Sequence, residues 1–190
     1  NTALTDFYCW GNQHTSLDVS NNTALTFLYC GDNQLTSLDV SANTALTVLV
    51  CWYNQLTSLD VSSNTALTVL DCQDNQLTSL DVSANTALER LRCNSNQLSS
   101  LDLRNGNNTN ILTYLYSFNL TNNPLLYCIN VDDVSWSDTN WTVANGDIDS
   151  TMSFSTNCAI ALGCTDSLAI NYDSLATIND SSCVYCDLII

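Results

Sequence analysis

Cysteine recurs every 21 residues, at Cys9, Cys30, Cys51, Cys72 and Cys93, and the sequence around it recurs with it. Residues 25–43 read LTFLYCGDNQLTSLDVSAN, residues 46–64 LTVLVCWYNQLTSLDVSSN, and residues 67–85 LTVLDCQDNQLTSLDVSAN. A unit this short cannot bury its apolar stripe alone. It must stack on its neighbours, so a fixed period of this size predicts a solenoid.

Each unit nests two versions of one pattern. The first is Leu25-x-x-Leu28-x-Cys30-x-x-Asn33-x-Leu35, and the second is Leu35-x-x-Leu38-x-Val40-x-x-Asn43-x-x-Leu46. In an extended segment alternate side chains share a face, so Leu28 and Cys30 point into the core while Phe27 and Tyr29 point to solvent. Coils stacked at the inter-strand spacing of about 4.8 Å give five coils a length of about 24 Å. Asn33, Asn54, Asn75 and Asn96 recur where the chain turns, and their amides suit an internal ladder that satisfies backbone groups of the next coil. Ala24, Ala45, Ala66 and Ala87 stand where a larger side chain would crowd a turn.

Over residues 1–126 the pattern resembles leucine-rich repeats, specifically the short class with two nested consensus halves (the IRREKO type). The resemblance implies a β-rich solenoid, a right-handed coil with a parallel sheet on one face. Stacked cysteines fall inside the Cα window for a disulfide. There are five of them, however, and each occupies a position that the family fills with leucine, so they are expected as reduced, buried thiols.

The net charge is −16, with no lysine and only Arg90, Arg92 and Arg104 as cations. That balance excludes tracking a phosphate backbone and disfavours anionic membranes. No run is long enough to span a bilayer, and no signal peptide is present. The chain opens inside a repeat and ends on an apolar DLII, which reads as a piece of something longer. His14, the single histidine, stands where other coils carry leucine and reads as a frayed core residue. One histidine and five glycines supply neither a Ser-His-Asp constellation nor a phosphate loop, so no enzyme is expected.

Positions constant in every coil serve the stack, and positions that change are free for recognition. Among the constant ones, Asp18, Asp39, Asp60, Asp81 and Asp102 form a file of carboxylates. Neighbours about 4.8 Å apart repel by about 0.9 kcal/mol even in water, so hydrogen bonds from Ser, Thr or backbone N–H groups, or else calcium, must offset the file. Threonine files (Thr26, Thr47, Thr68 and Thr23, Thr44, Thr65, Thr86) raise ice binding as an alternative.

The changing positions flank the cysteines: Tyr8, Trp10, Phe27, Tyr29, Asp32, Val50, Trp52, Tyr53, Asp71, Asp74, Arg90 and Arg92. All are expected to point outward and to form a ligand-binding face running from aromatic through acidic to basic. Clustered exposed aromatics and arginine are the usual residues of binding hot spots. The alternative for part of this face is strand-forming valines, with Asp71 paired across strands to Arg92.

After Leu101 the rhythm breaks. Residues 127–162 resemble the C-terminal cap of secreted bacterial leucine-rich-repeat proteins. The resemblance implies a Cys128–Cys158 bridge, with Trp136 and Trp141 over the last coil and Asp132 and Asp133 as polar cap residues. Residues 163–190 begin with a stretch similar to a cysteine-bounded module, G-C-T-D…N-Y…S-C, found beside surface domains of such proteins. It implies a Cys164–Cys183 bridge and leaves Cys186 free or paired beyond this chain. Asp166, Asn171, Asp173 and Asp180 are low-grade calcium candidates there, and no other cofactor is expected. Disulfides imply an extracellular, secreted or surface-attached protein. The functional expectation is a non-catalytic module that binds a protein or glycan for adhesion. The alternatives are a structural spacer that associates end to end and an ice-binding protein.

Overall fold

The structure, a computed structural model, describes residues 1–112, 117–158, 162–172, 178–179 and 181–185, with 162–163 and 178–179 described as backbone. It is a parallel-strand β-solenoid. The first half of each coil contributes a three-residue strand: β1 (Asp6–Tyr8), β2 (Phe27–Tyr29), β3 (Val48–Val50) and β4 (Val69–Asp71). Next come β5 (Ser79–Asp81), β6 (Arg90–Arg92), β7 (Ser100–Asp102) and β8 (Phe118–Asn119). The first sheet runs β1-β2-β3-β4-β6-β8, all in parallel register, with Leu28 opposite Leu49 and Tyr29 opposite Val50.

A second parallel sheet lies on the second half-coils. It takes β5 and β7 and continues through β9 (Cys128–Asn130) and β10 (Ser153–Ser155), in the order β10-β9-β7-β5. The nested pattern marks these segments as Leu38 and Val40 alternating with the polar Ser37, Asp39 and Ser41, without assigning a strand to them. Ser79-Leu80-Asp81 alternates exposed, buried, exposed, which is the period-2 pattern of a half-buried strand.

Each coil turns in the left-handed region two residues after its cysteine, at Gly11, Asp32, Tyr53, Asp74 and Ser95, and in the last coil two residues after Leu120, at Asn122. The following asparagine locks the turn. Asn54 Nδ2 donates to the carbonyls of Cys30 (3.1 Å), Cys51 (3.1 Å) and Trp52 (3.2 Å), and its Oδ1 accepts from Leu35 N (2.9 Å). Asn75 and Asn96 repeat the arrangement one coil further on each time. A second ladder, not anticipated as such, runs through the fully buried Asn43, Asn64 and Asn85, whose Nδ2 groups each bond carbonyls of the preceding coil.

The interior is a column of Leu, Val and Cys. Leu25, Leu28, Leu35 and Val40 and their equivalents in the next three coils are fully buried, each worth about 2 kcal/mol of transfer free energy. Cys9, Cys30, Cys51, Cys72 and Cys93 are free thiols inside this column. Burial pushes the Cys30 thiol up to about 12 and raises the other four as well. His14 is exposed rather than core, because β1 is a sheet edge and its coil is covered on one side only.

The described chain divides into two compact units, Asn1–Thr156 and Asn157–Ile190, where the sequence reading set boundaries at 126 and 162. The cap belongs to the first unit because β9 and β10 extend the second sheet. Its helix α1 (Val134–Asn140) is N-capped by Asp133, which accepts from Trp136 N. Trp141 is buried, stacked on Phe118 at 4.1 Å and edge-on to Trp136 at 5.2 Å. In the second unit Cys164 bonds Cys183, and β11 (Leu162–Gly163) pairs in parallel with β12 (Ile178–Asn179). Cys128 and Cys158 are both disulfide-bonded, and Cys186 lies outside the described residues.

Candidate functional site: the variable face of the coils

The sheet register sets the candidate residues in files. Asp6, Phe27, Val48, Val69 and Arg90 form one, and Tyr8, Tyr29, Val50, Asp71 and Arg92 form the next. Beyond the strand end, Gly11 N donates to Gly31 O (3.0 Å), Asp32 N to Trp52 O (2.8 Å) and Tyr53 N to Gln73 O (3.1 Å). These bonds align Trp10, Gly31 and Trp52 in a third file, with Gly11, Asp32 and Tyr53 beside it.

The first three coils carry an exposed aromatic cluster. Tyr8 is 59% exposed, Trp10 59% and Tyr53 55%, while Phe27, Tyr29 and Trp52 are half-buried. Tyr8 and Tyr29 stack at 4.9 Å, so each covers one ring face of the other. Trp52 and Tyr53 meet edge to face at 5.4 Å. Trp52 also lies over Gly31, where an added Cβ would stand 2.8 Å from two ring carbons. Tyr53 holds φ at +47°, a region a bulky side chain rarely occupies, where the other coils place Gly, Asp, Ser or Asn.

Not every candidate faces solvent. Val50 is buried, and so is Asp71, both at 8% exposure. Side chains on neighbouring strands stand within about 5 Å of one another, so Val50 is covered on one side by Tyr29 and on the other by Asp71. Asp71 is held by Arg92, whose Nη1 donates to Oδ2 at 3.2 Å, and Arg92 Nη2 also donates to Gln73 Oε1 at 2.6 Å. Burial raises the Asp71 carboxyl above its ordinary range even though Arg92 pulls it down. Asp71 and Arg92 thus satisfy each other across the strands, which withdraws them from the free part of the face. Arg90 and Asp74 remain half-buried.

The constant files serve the scaffold. Thr26, Thr47 and Thr68 donate their hydroxyls to the carbonyls of Thr5, Thr26 and Thr47 in the preceding coil, so those hydroxyls are committed inward. Asp18, Asp39, Asp60 and Asp81 each accept from the backbone N–H two residues on, at 2.8–3.0 Å, and Asp102 accepts from Arg104 N. Hydrogen bonds from Ser20, Ser41 and Ser62 hold the first three carboxyls below the usual range, which offsets the repulsion along the file. Among the described residues no group of three or more His, Cys, Asp or Glu is disposed to hold a metal ion. Asp166 accepts from Leu168 N and Tyr185 Oη, and Asn171 bonds Ser182 O and Val184 N, so both serve the module's own backbone. Asp173 and Asp180 lie outside the described residues.

Sequence reasoning did not find the role of Gly31 or the left-handed turn at Tyr53. Gly11 occupies that turn position in the first coil and Gly31 precedes it in the second, which was the available signal.

Short parallel strands, asparagine-locked turns and a leucine and cysteine column define the fold as a leucine-rich-repeat solenoid. Residues 44–85 match the family described as leucine-rich repeats (two copies). The chain is similar to the functional domain of InlJ from Listeria monocytogenes, a structure described as including a cysteine ladder. Identity is 30% over 69% of this chain and 36% of that one, with a TM-score of 0.54. A leucine-rich-repeat protein of Leptospira interrogans shares the fold at 21% identity over 77% of this chain and 37% of its own, with a TM-score of 0.57. The chain thus spans little more than a third of either. No curated protein sequence matches it. No helix among the described residues is long and apolar enough to cross a membrane.

Proposed function

We propose that this chain is a non-catalytic extracellular recognition module that binds a partner protein through the aromatic surface of its first three coils, in the service of adhesion. One observation carries the reading. The exposed rings of Tyr8, Trp10 and Tyr53 gather where the coils differ most, and Tyr53 sits there in a backbone conformation that costs an aromatic residue about 1 kcal/mol or more. Large exposed aromatics in contact with one another are what an interface core requires. Disulfides in the C-terminal region fit an oxidising, extracellular setting.

The test is a screen of the chain against arrays of cell-surface proteins and glycans, repeated with a Tyr29→Ala/Trp52→Ala variant of unchanged circular dichroism. The reading expects a protein ligand whose binding falls at least tenfold in the variant. Binding that survives the double substitution rejects the face. A glycan as the only ligand moves the specificity and keeps the face.

A further inference from the structure

We infer, building on that reading, that the partner presents a cationic segment, one of whose Lys or Arg side chains is taken by the Asp32 carboxylate among the rings of Trp10, Trp52 and Tyr53. Asp32 and its counterpart Asp74, two coils on, stand apart from the other coil carboxylates, and of the two only Asp32 is exposed while Asp74 is half-buried. Asp18, Asp39 and Asp60 are each engaged by a backbone N–H two residues on, and Asp71 by Arg92. The Asp32 side chain is exposed and has no hydrogen bond or ion pair among the described residues. Asp32 holds φ at +52°, and its Oδ2 reaches across the coil boundary to within 3.8 Å of where a Cβ on Gly11 would stand.

The surroundings give the carboxylate a sign and a shape. Arg90 and Arg92 lie three coils away, about 14 Å, which exceeds the Debye length of about 8 Å at physiological salt. Among the described residues no arginine forms an ion pair with Asp32. Asp6 stands on the same face, one coil from Phe27, and is likewise exposed. The edge-to-face pair of Trp52 and Tyr53 cannot hide both faces of both rings, so ring surface remains open for a cation beside the carboxylate. The whole chain, at −16, repels an acidic partner, a second copy of itself and nucleic acid, and it accelerates encounter with a basic surface.

The experiment uses the full chain, isotope-labelled, and three blocked octapeptides of alternating glycine with arginine, glutamine or glutamate. The arginine peptide is expected to shift the amides of Tyr8, Asp32 and Tyr53 in preference to those of Asp39 and Asp60 on the opposite file. Its affinity should fall about fivefold or more in Asp32→Asn and in Trp52→Ala, and only slightly in Asp39→Asn. Shifts spread over the Asp39 and Asp60 file, or an affinity that ignores Trp52→Ala, would mean undirected charge attraction and overturn the inference. A ligand from the array screen that depends on Trp52 but not on Asp32 overturns the cationic partner while leaving the recognition face standing.

Discussion

The Trp52 indole rests on Gly31 of the preceding coil, filling the space that a side chain there would occupy. The two residues are 21 apart, one coil, and the ring's position depends on a missing methyl group. Gly31→Ala places a Cβ 2.8 Å from ring carbons, so the ring must move, while the Gly31 backbone lies outside the left-handed region and accepts alanine. The substitution should therefore change the tryptophan signal in near-UV circular dichroism and weaken partner binding, with thermal stability altered by no more than about 1 kcal/mol. An unchanged near-UV spectrum would mean that the ring is not seated there.

The cysteine column gives a chemical test of the stack. Thiolate is the reactive form, and burial both raises the thiols and excludes reagent. With iodoacetamide at about pH 8, read by peptide mass spectrometry, Cys30, Cys51, Cys72 and Cys93 should stay unmodified in the folded chain and label fully in denaturant. Cys9, in the edge coil and 8% exposed, should be the first of the five to react. Labelling of Cys51 as fast as Cys9 would contradict a closed core.

Much of this was legible in the primary structure, for a physical reason. A period of 21 fixes stacking and register together, so Leu28, Cys30 and the Asn54 turn position are decided by repetition itself. The face was harder to read. Repetition tells which residues vary but not which are covered, and Val50 and Asp71 vary yet lie buried between their cross-strand neighbours. Coverage depends on side-chain size in the adjacent coils, as at Gly31, where Trp52 supplies the bulk. The fate of a charge likewise depends on a partner one coil away, so Asp71 is spent on Arg92 while Asp32, with no cation in reach, stays free.

The first asparagine ladder should be among the most sensitive features of the solenoid. Asn75 Oδ1 accepts from Leu56 N at 3.0 Å, and its Nδ2 donates to the Cys51 and Cys72 carbonyls at 3.1 Å each, all in the interior. Asn75→Ala leaves those buried backbone groups without partners, at a cost of about 2–4 kcal/mol. The exposed neighbour Gln76, substituted the same way, should change stability by less than about 0.5 kcal/mol. Urea unfolding of the two variants makes the comparison. Equal midpoints would remove the ladder from the list of stabilising elements.

The carboxylate file sets the acid response. In Asp39 and Asp60 the hydrogen bonds from Ser41 and Ser62 lower the folded carboxyl below its unfolded value. A depressed folded value means the stabilisation is present above the unfolded value, about 3.9, and is lost as pH falls through the folded one. Asp71 acts in the opposite sense. Burial raises it, so its ionisation costs stability as pH rises from the unfolded value through the folded one. Asn can still accept the same backbone hydrogen bonds from Ser41 N and Ser62 N without titrating. An Asp39→Asn/Asp60→Asn variant should therefore fold normally at neutral pH, and its urea midpoint should fall less steeply than that of the parent from about pH 5 to about pH 2. At neutral pH the variant lacks the stabilisation that the depressed carboxyls supply in the folded chain, so its midpoint there should lie no higher than the parent's. A steeper acid limb in the variant would show that these hydrogen bonds do not favour the ionised carboxylates.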